Sequence, residues 1–119
     1  MDVFPKFIIE TDQEEGDCLI VAKCTYHRQL VTNKEKVKGG GWWLLNRDTD
    51  VFTLHGSSED FGAATIEDIA DCVQRGKVYS SAALTRDFIE QGYKFQYKNE
   101  CGEIFDLHTF KNNQDENSN

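Results

Sequence analysis

His27 and Arg28 stand side by side in Thr25-Tyr26-His27-Arg28. That pairing could set a proton acceptor next to an anion clamp. A second segment suited to the same chemistry is Ser57-Ser58-Glu59-Asp60. Serine hydroxyls and successive backbone N–H groups at a strand-to-helix junction can hold an oxyanion. Glu59 and Asp60 add two carboxylates that could work as acid and base, or hold a cation. Each feature also has a plainer reading. The histidine could be a strand-end residue half exposed to water, the serines could satisfy their own turn, and the carboxylates could simply be solvated.

Between the two segments lies Gly39-Gly40-Gly41-Trp42-Trp43. Three consecutive glycines entering a strand call for close backbone approach or for dihedrals closed to other residues. The two tryptophans point to opposite faces of that strand. One enters the core, and the other is free to stack on a ligand, anchor a partner or cover a bare sheet face. The candidate ligand-binding residues are therefore Gly39, Gly40, Gly41, Trp42, Ser57, Ser58, Glu59, Asp60 and Arg28, with His27 as the candidate catalytic base. His55 suits packing and His108 suits the surface. Cys18, Cys24, Cys72 and Cys101 form no C-x-x-C pair and match no zinc spacing, so buried free thiols are expected. No metal or cofactor is expected.

These residues need elements to position them. Phe4 to Thr11 and Cys18 to Tyr26 read as strands joined by the polar turn 12–17, and 27–38 reads as a loop or a single helical turn. Gly41–Leu45 and Val51–His55 form the clearest hairpin, with turn-favouring residues at 46–50. Thr65 reads as the N-cap of a helix whose apolar face is Ile66, Ile69, Ala70 and Val73, ended by Gly76. Leu84 and Phe88, four apart, predict a second helix over Ser81–Gln91. Tyr93, Phe95 and Tyr97 alternate with polar residues as a half-exposed strand does, and Glu103–Phe110 reads as a last strand. The tail 111–119 holds no apolar residue and reads as disordered. The expected architecture is one α+β domain over 1–110: a mixed, largely antiparallel sheet packed with two helices.

The chain has 119 residues, a net charge of −8 and 39% hydrophobic residues. That size and composition suit one folded domain with a modest core. The acidic balance argues against nucleic acid or an anionic membrane as partner, since both require a basic surface. No segment approaches the roughly 20 apolar residues of a membrane span, and the first residues lack the features of a signal peptide. A cytoplasmic protein, monomeric or weakly dimeric, is the expectation.

Residues 39–64 resemble the core of the janus/phosphohistidine phosphatase family. That family's pattern is a Gly-Gly-Gly entry to a hairpin, an apolar strand ending Tyr-Gly-x-Ser-x-x-Tyr-Gly, then Ala and a helix. The same order runs here as Gly39-Gly40-Gly41, Phe52-Thr53-Leu54-His55-Gly56, then Ser57-Ser58-Glu59-Asp60-Phe61-Gly62-Ala63-Ala64. The resemblance implies a phosphohistidine-phosphatase-like fold. It also implies phosphate held by the amides of Ser57–Asp60, the family's serine at Ser58, and a histidine as nucleophile or base helped by basic residues. Trp42 stands where the family has an arginine, and Glu59 and Asp60 add negative charge at the phosphate position. The leading expectation is thus a non-catalytic module that binds a small ligand or a protein segment through the tryptophans and the Ser57–Asp60 loop. A divergent phosphatase using His27, Arg28 and the Ser58 loop is the alternative. An acidic protein-interaction module is the third.

Overall fold

The computed structural model describes residues 3–82, 85–88 and 92–111. Four antiparallel hairpins build one sheet. They are β1 (Phe4–Asp12) with β2 (Gly16–Cys24), β3 (Val37–Asn46) with β4 (Val51–His55), β5 (Val78–Ala82) with β6 (Thr85–Phe88), and β7 (Lys94–Lys98) with β8 (Ile104–Asp106). The strand order is β6-β5-β2-β1-β3-β4-β7-β8. An antiparallel β1–β3 joint lies at the centre, a parallel joint flanks it on each side (β2–β5 and β4–β7), and a hairpin closes each margin. The only α-helix among the described residues is α1 (Ile66–Gln74). Its N-cap is Thr65, whose hydroxyl accepts from the Asp68 amide at 3.2 Å.

The fold is therefore mostly β, which corrects the expected α+β architecture with two helices. The error lies at Ser81–Gln91, where β5 and β6 replace the predicted helix. Val78 and Tyr79 favour strands, and β2 offers β5 a parallel edge in the register Leu19↔Val78, Ile20↔Tyr79 and Val21↔Ser80. Pairing with a distant strand outweighs a local four-residue spacing. Residues 83–84 and 89–91 lie outside the described residues, as does the expected tail from 112 onward. The last strand is also shorter than expected. After Asp106 the chain turns back, the Leu107 amide bonding to Phe95 O and Gln74 of α1 donating to the carbonyls of Leu107 and Phe110. No helix among the described residues is long and apolar enough to cross a membrane.

Period-two alternation gives the central sheet two buried faces. On one, Phe7, Ile9, Leu19, Val21, Phe52 and Leu54 pack against Ile69, Ala70, Cys72 and Val73 of α1. On the other, Ile8, Ile20, Cys18 and Cys24 are covered by Leu30 and Val31. Those two residues belong to the crossover 25–36, which carries two 3-10 turns, His27–Leu30 and Lys34–Lys36. Phe7, Ile8, Ile9, Leu19 and Ile20 are fully buried. At about 2 kcal/mol per side chain, this hairpin is the spine of the molecule.

A buried carboxylate fixes the crossover. Glu10, on β1, accepts from the Thr32 amide (2.8 Å), the Thr32 hydroxyl (2.6 Å) and the Asn33 amide (3.2 Å). At the other end, Gln29 Oε1 accepts from the amides of Thr25 and Tyr26 at 2.9 and 2.8 Å, closing the first turn. The segment bearing His27 is thus clamped at both ends.

Candidate functional site

Along the crossover face, β1 presents Glu10, Ile8, Lys6 and Phe4 in succession: the anchor, the core, then two residues that leave the core. Lys6 pairs with Trp42 of β3, and Ile8 pairs with Gly40. The turn at 27–30 drops the imidazole of His27 onto this strip. Its Nε2 lies 2.7 Å from Gly41 O. Its ring meets Trp42 edge-on, with centroids 5.8 Å apart and planes at 87°.

Gly40 is what admits the ring. A Cβ at Gly40 would sit 2.4 Å from Phe7 O and 3.3 Å from His27 Cδ2. Its neighbours are equally confined. A Cβ at Gly39, where φ is +135°, would sit 2.6 Å from Ala63 backbone, and one at Gly41 would sit 2.4 Å from His55 O. All three glycines are buried. They form a joint where β1, β3, the end of β4 and the 63–64 segment close up.

The Ser58 loop has a similar internal role. Ser58 is 3% exposed. Its amide donates to Gly40 O and Gly62 O, and its hydroxyl accepts from the amides of Asp60 and Phe61 at 3.2 and 3.1 Å. Gly62 N donates back to Ser58 O. The amides expected to face an oxyanion at 60 and 61 therefore turn inward onto the serine. What the loop presents outward is the exposed pair Glu59 and Asp60. Ser57 lies apart from this arrangement, lining a second cleft with Leu44, His55 and Tyr97.

These parts enclose a cleft of about 290 Å3 lined by Phe4, Lys6, Thr25, Tyr26, His27, Arg28, Trp42, Glu59 and Asp60. The structure thus unites His27, Arg28, Trp42, Glu59 and Asp60. Lys6, Phe4 and Tyr26 are additions that sequence reasoning missed. A signal for Lys6 existed: it is the lysine within Phe4-Pro5-Lys6-Phe7-Ile8-Ile9, a run otherwise apolar.

His27 is buried, not half exposed, at 4%. Burial pulls its pKa below the ordinary histidine value; Lys6 nearby pushes the same way, while the bond to Gly41 and the charges of Asp60 and Glu59 oppose. The ring is therefore neutral at neutral pH. A carbonyl only accepts, so Nε2 carries the proton and Nδ1 carries the lone pair. Every fully buried side-chain nitrogen or oxygen among the described residues has a partner. Nδ1 has no hydrogen bond among the described residues, and His27 lines the cleft.

Lys6 is 6% exposed, and no carboxylate among the described residues lies within ion-pair distance of it. Its Nζ rests 3.5 Å from the centroid of Trp42 and 5.5 Å from that of Phe4. Arg28 is likewise held by a ring, with Cζ 4.2 Å from the centroid of Tyr26. Glu59 and Asp60 form no ion pair among the described residues either. No group of three or more potential metal ligands occurs among the described residues. His55 is half-buried with its pKa lowered by burial and by Lys98. His108 is exposed but accepts from the Phe95 amide at 2.9 Å. Cys18, Cys24 and Cys72 are buried thiols, whereas Cys101 is exposed, which corrects the expectation for that residue.

No protein family, curated protein or solved structure matches the chain.

Proposed function

We propose that the His27 cleft binds a phosphoryl-type anion and that His27 Nδ1 accepts a proton there, the chemistry of a divergent phosphohistidine or phosphate-ester hydrolase. One observation carries this reading: a neutral histidine of fixed tautomer lines the same cleft as Lys6, a nearly buried lysine without a carboxylate partner among the described residues. A buried cation without a counter-charge is costly. Cation–π contact with Trp42 offsets part of that cost, and an anionic ligand offsets more. The chemistry follows from the geometry. Lys6 and Arg28 hold the phosphoryl oxygens, and His27 Nδ1 takes a proton from an attacking water. The oxygen–phosphorus bond forms, the bond to the leaving nitrogen or oxygen breaks, and that atom takes up a proton from solvent.

A second reading, a binding module without catalysis, has its own observation. Ser58 and the amides of Asp60 and Phe61 are engaged with one another, and Trp42 fills part of the cleft. Amide-resolved NMR titration with inorganic phosphate separates the cases, followed by hydrolysis assays on phosphohistidine and His27→Gln. Saturable shifts at Lys6, His27 and Arg28 with turnover lost in His27→Gln support the hydrolase. Shifts without turnover leave the binding module, and no shifts at millimolar phosphate overturn the hydrolase.

A further inference from the structure

The hydrolase reading leaves Glu59 and Asp60 unexplained, since both stand beside a site meant for an anion. Their arrangement is specific. The cleft holds two cations and two carboxylates, yet no N–O distance between them reaches ion-pair range. Each cation lies on a ring instead, Lys6 on Trp42 and Arg28 on Tyr26. The carboxylates ride on a loop whose hydroxyl and amides are tied to each other. The cleft thus carries a positive wall, Lys6 on β1 with Arg28 on the crossover, and a negative wall, Glu59 and Asp60 on the loop after β4.

Resting on the anion site proposed above, we infer that the ligand is bipolar: a phosphomonoester that also carries an ammonium group a short linker away, of the phosphoethanolamine type. The phosphoryl group meets Lys6, Arg28 and His27, and the ammonium meets Glu59 and Asp60. A simple phosphate gains the first contact and suffers repulsion from the second wall. The bipolar ligand gains both. A volume of about 290 Å3 suits so small a ligand.

The test is calorimetric titration at pH 7.5 of phosphoethanolamine, ethyl phosphate and ethanolamine, on the full chain and on the Glu59→Gln/Asp60→Asn variant. Both carboxylates are exposed and form no ion pair among the described residues, so the variant is expected to keep the fold, which its melting curve verifies. Phosphoethanolamine is expected to bind roughly tenfold tighter than ethyl phosphate to the unaltered chain, as one well-placed ion pair allows. In the variant its advantage disappears while ethyl phosphate binds more tightly, a crossing that mere loss of structure would not produce. Glycerophosphoethanolamine, the diester, is a fourth arm. Binding of the diester at equal strength supports the bipolar site and places its source in a lipid headgroup; preference for the monoester supports a free metabolite. Equal binding of ethyl phosphate and phosphoethanolamine overturns this inference and leaves the anion site standing. Preferential binding of phosphoethanolamine without turnover of any phosphoryl compound supports the inference and removes the hydrolase. No binding by any arm removes both.

Discussion

Lys6 and Trp42 face each other across the central β1–β3 joint, and the lysine Nζ rests 3.5 Å from the centroid of the indole. Backbone register brings them together, so the contact belongs to the sheet and not to a mobile loop. Lys6→Met keeps the aliphatic stem against the ring and removes the charge. Its stability is expected within about 1 kcal/mol of the original, because replacing a buried charge by an apolar group is often neutral. Phosphate-induced amide shifts are expected to vanish. Thermal melts with the NMR titration check both halves, and undiminished phosphate binding would refute the role given to Lys6.

Protonation of His27 should oppose folding. Its folded pKa lies below the ordinary value of about 6.5, chiefly through burial. The unfolded chain then binds more protons between the two values, so stability is complete above about pH 6.5 and falls as pH drops through the folded value. His55 shifts in the same direction. Urea midpoints at pH 5, 6, 7 and 8 should therefore decline toward acid. His27→Gln is expected to flatten that decline without abolishing it; an identical slope in the variant would show that His27 is not the sensor.

Gly40→Ala should be among the most damaging single-methyl additions in the chain. The new Cβ meets the Phe7 carbonyl at 2.4 Å and presses on His27, so a loss of about 3 kcal/mol or more is expected. Gly62→Ala is the contrast. Nothing lies within 4 Å of its Cβ, and only the φ of +77° opposes it, so about 1 kcal/mol is expected. Chemical denaturation of the pair decides whether the glycine triplet works by space or by dihedral freedom.

Thiol labelling should find one fast cysteine. Cys101 is exposed while Cys18, Cys24 and Cys72 are buried. Burial pushes the Cys72 thiol up to about 12, leaving almost no thiolate at neutral pH. A native-state titration with an aromatic disulfide should release one equivalent quickly and the rest only with denaturant. Two fast equivalents would mean that one of the covered faces opens.

Glu10→Gln tests the anchor of the crossover. The carboxylate receives three bonds from Thr32 and Asn33. An amide keeps the shape but replaces one acceptor oxygen with a donor group, so a loss of about 1–3 kcal/mol is expected. Hydrogen exchange should rise at 31–33 and spread to the His27 turn. Protection unchanged at His27 would show that Gln29 alone holds that turn.

The sequence exposed the parts whose partners are near. The β3–β4 hairpin declared itself through its turn residues, and α1 through Thr65 and its apolar stripe. β5 and β6 did not, because the partner of Val78 is Leu19, far away in the chain. The candidate site divides in the same way. His27, Arg28, Trp42, Glu59 and Asp60 were singled out by type, but their meeting depends on the Lys6↔Trp42 register and on the clamps at Gln29 and Glu10, none of which is local. Ser58 and the glycines were recognised as unusual and given a ligand, whereas their contacts are with the chain itself. Residue type alone does not say whether a backbone approaches a ligand or another backbone.

The mirrored strand order also bears on how the chain assembles. The pairs β1–β2, β3–β4, β5–β6 and β7–β8 are each joined by short connections, while the parallel joints β2–β5 and β4–β7 unite segments far apart in sequence. Loop closure makes such joints slow to form. The inner four strands can assemble first, and each outer hairpin then docks on its own margin without waiting for the other. The cleft is built wholly from residues 4–60, so its walls come together with the inner strands and the loop after β4, before either outer hairpin is needed.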